Sequence, residues 1–307
     1  SVLLFPLHAV LFAASLLLGN MLDDASARRD RRLMTGKMLI FGMGYTASRL
    51  AQRLRGEGWQ VAGTSRMASV GAIAFDDDAA VLEALSEATH ILSSVPPLRE
   101  GGDPVLDHYG AAIAAAPAKW VGYLSSTGVY GDTQGAWVDE SASVGSGRRS
   151  ARAAADLDWQ RLRSDVRIFR LPGIYGPGRS ALARVREGKA HRIDLPDQIF
   201  SRVHVDDIVS GVVASFARPP GVYNLADDYP CSQNVVIEFA SLLLGTAPPL
   251  MQTLEQAQLS PMAAAFYAEN RRISNQKAKR VLGWKPQYPD YKQGLTALFH
   301  SFGQKVD

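Results

Sequence analysis

The sequence predicts an α/β protein: a doubly wound parallel sheet carrying a smaller C-terminal lobe. Three observations lead there. Between Lys37 and Pro172, short apolar runs alternate with helical segments. A glycine-rich turn follows the first of those runs directly. Beyond Gly173 the alternation breaks up among many glycines and prolines. Strands separated by helices at this spacing call for right-handed crossovers within one parallel sheet.

Each element has its own signal. Met38 to Phe41 is the first apolar run, ending at Gly42, and a helical stretch follows from Thr46 to Arg55. Gly56 and Gly58 close that helix, as glycines at a C-terminus do. Trp59 to Thr64 reads as the second strand and Ala72 to Phe75 as a weaker third, with a helix around Val81 to Ala88. His90 to Val95 is the fourth strand, stopped by Pro96 and Pro97. An alanine-rich helix from about Pro104 to Ala116 leads to the fifth strand, Lys119 to Ser125. Val166 to Leu171 is the sixth, stopped by Pro172. Three segments result: an apolar, then basic, extension over 1–36; a nucleotide-binding α/β unit over 37–172; and a substrate lobe over 173–307 whose later elements return to that unit. Ligands of open α/β sheets bind at the carboxyl edge, which this lobe would cover.

Composition narrows the class. The 307 residues are 47% hydrophobic and 21% charged, the balance of a globular chain with a substantial core. The net charge of +3 owes much to Arg28, Arg29, Arg31, Arg32 and Lys37, and no aromatic-plus-basic platform suggests a nucleic-acid partner. Cys231 is the single cysteine, which leaves no disulfide framework and no cysteine zinc cluster; no metal centre is expected, and a cytoplasmic location is. From Val2 to Gly19 no residue carries a fixed charge. Three readings of this run stay open: a membrane anchor, holding the protein at the cytoplasmic face through residues 2–19; a signal segment; or a start site placed too far upstream, since Met34 stands three residues before the first strand.

The turn Gly42-Met43-Gly44-Tyr45-Thr46-Ala47 fits G-x-G-x-x-A. The first glycine permits the tight turn, the second lets backbone approach a pyrophosphate, and Ala47 allows close helix–strand packing. With a strand before it and a helix after it, this is the signature of a Rossmann-type dinucleotide site, in which helix N–H groups meet the phosphates. At the end of the second strand an NAD site would carry Asp or Glu. Thr64-Ser65-Arg66 stands there instead, and a guanidinium suits a ribose 2′-phosphate. NADP(H) is therefore favoured over NAD(H). Ser94, Val95, Pro172 and Gly173, at the ends of the fourth and sixth strands, complete the expected cofactor set.

Further motifs carry a resemblance. They are Leu124-Ser125-Ser126-Thr127-Gly128-Val129-Tyr130-Gly131, then Arg170-Leu171-Pro172-Gly173-Ile174-Tyr175-Gly176-Pro177-Gly178, and Arg202-Val203-His204-Val205-Asp206-Asp207. Val222 to Leu225 and Leu282-Gly283-Trp284 add to them. From about Lys37 to Leu298 the chain resembles the extended short-chain dehydrogenase/reductase family, which includes NAD-dependent epimerases and dehydratases. The resemblance implies that Ser126 polarises a substrate oxygen and that the acid/base is a Tyr in Tyr-x-x-x-Lys between Gly131 and Val166. That stretch holds neither Tyr nor Lys. The best frame sets Arg148 in place of the Tyr and Arg152 in place of the Lys. Arg152 could hold the cofactor ribose, whereas Arg148 cannot exchange a proton near neutral pH. Tyr130, Tyr175 and His204 are the candidate substitutes, each with packing as its alternative role. Asp206 or Asp207 reads as a helix N-cap. The later match at Tyr288 to Lys292 is expected far from the active edge.

Substrate contacts are expected from Tyr175, Arg179, Arg202 and His204, with Arg184, Arg186 and Arg192 adding positive charge. The expected function is an NADP(H)-linked epimerase or reductase acting on a small, anionic, nucleotide-sugar-like substrate. The alternative is a cofactor-binding protein with little turnover, a redox sensor or assembly subunit. A homodimer is left open.

Overall fold

The computed structural model describes residues 35–66, 71–145 and 150–303. The apolar run 2–19, Arg28 to Arg32 and Arg148 lie outside the described residues. Nine α-helices and thirteen strands are described. The first half runs β1 (Lys37–Phe41), α1 (Tyr45–Gly56), β2 (Gln60–Ser65), β3 (Ile73–Ala74), α2 (Asp78–Glu87), β4 (His90–Ser93), α3 (Pro104–Ala115), β5 (Trp120–Ser126), β6 (Trp137–Val138) and α4 (Ser150–Leu162). The second runs β7 (Val166–Leu171), β8 (Gly173–Tyr175), α5 (Ala181–Arg186), β9 (Arg192–Ile193), β10 (Arg202–His204), α6 (Val205–Ala214), β11 (Gly221–Asn224), α7 (Gln233–Leu243), β12 (Met251–Gln252), α8 (Pro261–Phe266), β13 (Arg272–Ile273) and α9 (Tyr291–Gly303).

Seven strands form one parallel sheet in the order β11-β7-β5-β4-β1-β2-β3. The order reverses at β1 and β4, the switch point at which such sheets bind ligands. Alternation along the strands feeds two cores, one on each face. Met38 and Ile40 of β1 join Leu50, Leu54, Trp120 and Phe169 on one side. Leu39 and Phe41 join Val81, Ile113, Tyr123 and Trp159 on the other. Burial of both faces explains why β1, β5 and β7 read as continuous apolar runs. Helix starts follow capping chemistry: the Asp77 and Asp103 carboxylates accept from first-turn N–H groups of α2 and α3.

The six expected strands, β1 to β5 and β7, agree with the sequence expectation to within one or two residues at their ends. One local reading changes. α6 is capped by His204, whose Nδ1 accepts from the Asp206 N–H at 3.2 Å, so neither Asp206 nor Asp207 is the cap. β11 comes from beyond residue 173 and pairs with β7 over its whole length, which closes that edge of the sheet. Among the described residues no helix is long and apolar enough to cross a membrane, and no cluster of three His, Cys, Asp or Glu could hold a metal ion.

Candidate active site

The carboxyl ends of β1, β4, β5 and β7 open into a cleft of about 1130 Å³, walled on its far side by α5, α8 and the start of α9. Its near wall is the glycine turn. Gly42 has φ +84°, and a Cβ there would lie 2.8 Å from the Val95 side chain. Gly44 is exposed and a Cβ on it would meet nothing within 4 Å, so this face of the backbone is open to a ligand. No side chain caps α1 and no acid lies in its first turn, which leaves its N–H groups directed into the cleft. Gly44, Tyr45, Thr46 and Ser94 line this end, while Gly42, Ala47 and Val95 support it from beneath. Thr64 is buried, and its Oγ1 accepts from the Gly42 N–H at 3.2 Å, so it braces the turn instead of reaching a ligand. Ser65 is half-buried, and Arg66 is exposed at the end of β2.

Ser126 and Arg152 lie on the cleft floor with Ser125, Thr127, Pro172 and Gly173. Ser126 Oγ accepts from the Gly128 N–H at 3.1 Å, which caps the short turn Thr127–Tyr130. Its own O–H is therefore free to donate into the cleft. Arg152, on α4, is half-buried and reaches the Tyr123 hydroxyl at 3.4 Å. Tyr130 goes elsewhere. It is buried, its hydroxyl donates to Asn224 Oδ1 at 2.7 Å and accepts from Arg170 Nη1 at 3.0 Å. Burial pushes its phenol pKa up. A hydroxyl held this way beneath the floor is not positioned as the cleft's acid.

A polar cluster that no sequence motif singles out supports this floor. Asp156 on α4 is fully buried and accepts from Arg170 Nη2 at 2.8 Å, Arg170 Nε at 3.1 Å and Ser125 Oγ at 2.5 Å. Asp156 stands three residues after Ala153, on the face of α4 turned to β5 and β7. The signal was available: an acid in an alanine-rich helix beside a strand that carries an arginine.

The far wall revises the substrate expectations. Tyr175 borders the cleft, but its hydroxyl abuts α9, where a Cβ on Gly294 would overlap it. His204 does not line the cleft. It is buried between Tyr175 and Tyr288, with ring centroids 5.1 and 4.2 Å away, and burial lowers its pKa to about 4, so it is neutral at pH 7. Arg202 is buried and does line the cleft, donating to Cys231 Sγ at 2.8 Å and to the Cys231 carbonyl at 3.3 Å. Arg179 lines it too and is exposed. The Tyr288 to Lys292 segment, expected far away, brings Tyr291 to the wall because α9 starts there. Glu269, Arg271 and Tyr267 also line the cleft, and no sequence motif had drawn attention to them.

Comparison with known proteins follows from this geometry. No protein-family model matches the chain. A solved structure of a functionally unknown conserved protein from Silicibacter pomeroyi DSS is 42% identical and superposes with TM-score 0.81, over 87% of this chain and 99% of that one. The structure of human epimerase family protein SDR39U1 (isoform 2) with NADPH shares the fold at 17% identity and TM-score 0.70, over 86% of this chain and 99% of that one. The chain belongs to one family with the Silicibacter pomeroyi protein and shares its fold with the epimerase-family structure. Among curated proteins, a 3-diazoavenalumate denitrifying reductase from a Streptomyces species is 30% identical over 163 residues, 48% of this chain and 52% of that protein. The chain spans about half the length of the curated relatives it matches.

Proposed function

We propose that the chain is an NADP(H)-dependent reductase or epimerase of the short-chain dehydrogenase/reductase type, with a small anionic substrate. One observation carries this reading: the uncapped mouth of α1, beside an unencumbered Gly44, and the Ser126 hydroxyl face one continuous cleft. The fit to a dinucleotide is good, because Gly42 and Gly44 lack the Cβ atoms that would crowd the turn or project into the cleft.

A nicotinamide dinucleotide, when bound, supplies or accepts the hydride. The Tyr45, Thr46 and Ala47 N–H groups bind its phosphates. Arg152 offers a fixed cation at the floor for the ribose hydroxyls. Ser126, whose Oγ already accepts from Gly128, donates its proton toward the substrate oxygen and stabilises charge developing there. Arg202 and Arg184 on the far wall suit an anionic substrate group. Ser126→Ala should therefore lower kcat by about 10²-fold or more with little change in cofactor affinity. Rapid turnover by that variant would locate the reacting centre elsewhere.

Arg66 carries the cofactor preference. NADPH should bind about ten- to a hundredfold more tightly than NADH, the range of a charge-assisted contact of roughly 1.5–3 kcal/mol. Arg66→Ala should remove most of that ratio in a fluorescence titration. Equal affinities in the parent protein would end the assignment.

A second reading has its own support. Residues 131–166 contain no Tyr and no Lys, and the Tyr130 hydroxyl is committed within the core. A protein that binds NADPH but leaves it unoxidised with a panel of nucleotide sugars and simple carbonyls would be a cofactor sensor or assembly subunit.

A further inference from the structure

We propose that Arg179 belongs to the cofactor site, where its guanidinium closes over the mouth of α1 and pairs with the pyrophosphate from the side opposite the glycine turn. This rests on the dinucleotide reading above and changes the role of Arg179 from substrate to cofactor contact.

The turn that carries Arg179 is rigid and docked on α1. Gly176 N–H donates to the Arg179 carbonyl at 2.9 Å, and Arg179 N–H returns a bond to the Gly176 carbonyl at 3.0 Å. The Tyr45 hydroxyl donates to the Pro177 carbonyl at 3.0 Å. The approach is close enough to require glycine: a Cβ on Gly176 would lie 2.6 Å from the Tyr45 hydroxyl and 2.7 Å from Val205. Gly178, at φ +71°, then turns the chain so that the Arg179 guanidinium carbon lies 5.8 Å from the Tyr45 ring centroid.

Tyr45 is the first residue of α1, and the free N–H groups of a first turn span only about 5 Å along the axis. The guanidinium stands over the side chain of that first residue, on the same cleft that Gly44, Tyr45 and Thr46 line. The charge around this point is unbalanced. The helix end contributes about half a positive charge, and α1 has no acid in its first turn. The neighbouring Asp206 is already held by Arg49 through bonds of 2.7 to 3.0 Å. Among the described residues no carboxylate pairs with Arg179. Two sources of positive potential converge on the cleft between Gly44 and Gly178. The diphosphate bridge of a dinucleotide is the anion that this spacing accommodates.

Because the bridge is common to NAD and NADP, the contact should not discriminate between them. Titrating the full chain with NADPH and with NADH, Arg179→Ala should weaken both by the same factor, roughly three- to tenfold for an exposed charge. The deficit should shrink as NaCl rises from low to high concentration, and Arg179→Lys should recover part of it. Arg66→Ala should instead weaken NADPH alone. Unchanged affinity for both cofactors in Arg179→Ala would overturn the proposal, and so would a loss confined to NADPH. A parent protein that binds neither cofactor would instead overturn the dinucleotide reading itself. The side chain is exposed, and an unchanged thermal midpoint would show that the variant is folded.

Discussion

Asp156→Ala should lower the unfolding free energy by about 3–5 kcal/mol, the cost of stripping one partner from a buried ion pair. The Arg170 guanidinium, 3% exposed, would lose both carboxylate oxygens, and Ser125 would lose its acceptor. Asp156→Asn keeps the shape and an acceptor, and should fall between parent and alanine variant. Replacing Asp156 and Arg170 together by leucine and methionine should cost less than Asp156→Ala alone, since no unpaired charge stays buried. Urea unfolding measures all three. A shift below about 1 kcal/mol for Asp156→Ala would mean that this cluster does not hold the floor of the cleft.

The second large effect is a gain. Installing Arg148→Tyr with Arg152→Lys should raise NADPH-dependent reduction of simple aldehydes and ketones by about 10²-fold or more, the worth of a positioned general acid. Arg152 already lines the cleft from the first turns of α4, four residues before the fixed Asp156. A lysine there would reach the same space. Adding Ser126→Ala to that pair should return the rate to its starting level. An unchanged rate in the double variant would show that the frame setting Arg148 and Arg152 in place of the Tyr and Lys is misaligned.

The sheet was legible because both its faces are buried: strands such as β1, with Met38 and Ile40 to one core and Leu39 and Phe41 to the other, leave no polar alternation to confuse the pattern. The glycine turn was legible because its chemistry is local, a few consecutive residues with one geometric demand. The far wall was not. Arg179, Arg202, Glu269 and Tyr291 come together only through the packing of α5, α8 and α9, which no short spacing encodes. His204 and Tyr130 misled for a related reason. A titratable side chain beside a motif looks reactive in a sequence, and only the fold reveals that burial keeps His204 neutral and that Arg170 and Asn224 occupy the Tyr130 hydroxyl. Thr64 belongs with them, since its bond to Gly42 is a contact across 22 positions.

The return of β11 to the sheet has a consequence for how the chain is made. β7 leaves the sheet at Leu171, and its outer edge gains a partner only when Gly221–Asn224 arrives. During synthesis the edge of β7 therefore emerges with a row of unpaired N–H and C=O groups, the surface that invites association between chains. The same delay leaves Tyr130 without its Asn224 acceptor. Some fifty residues of the second lobe must leave the ribosome before the first can finish folding, so the amino-terminal half matures late although it is synthesised early. A cut after Pro172, which the sequence invites, would yield a unit lacking its own last strand.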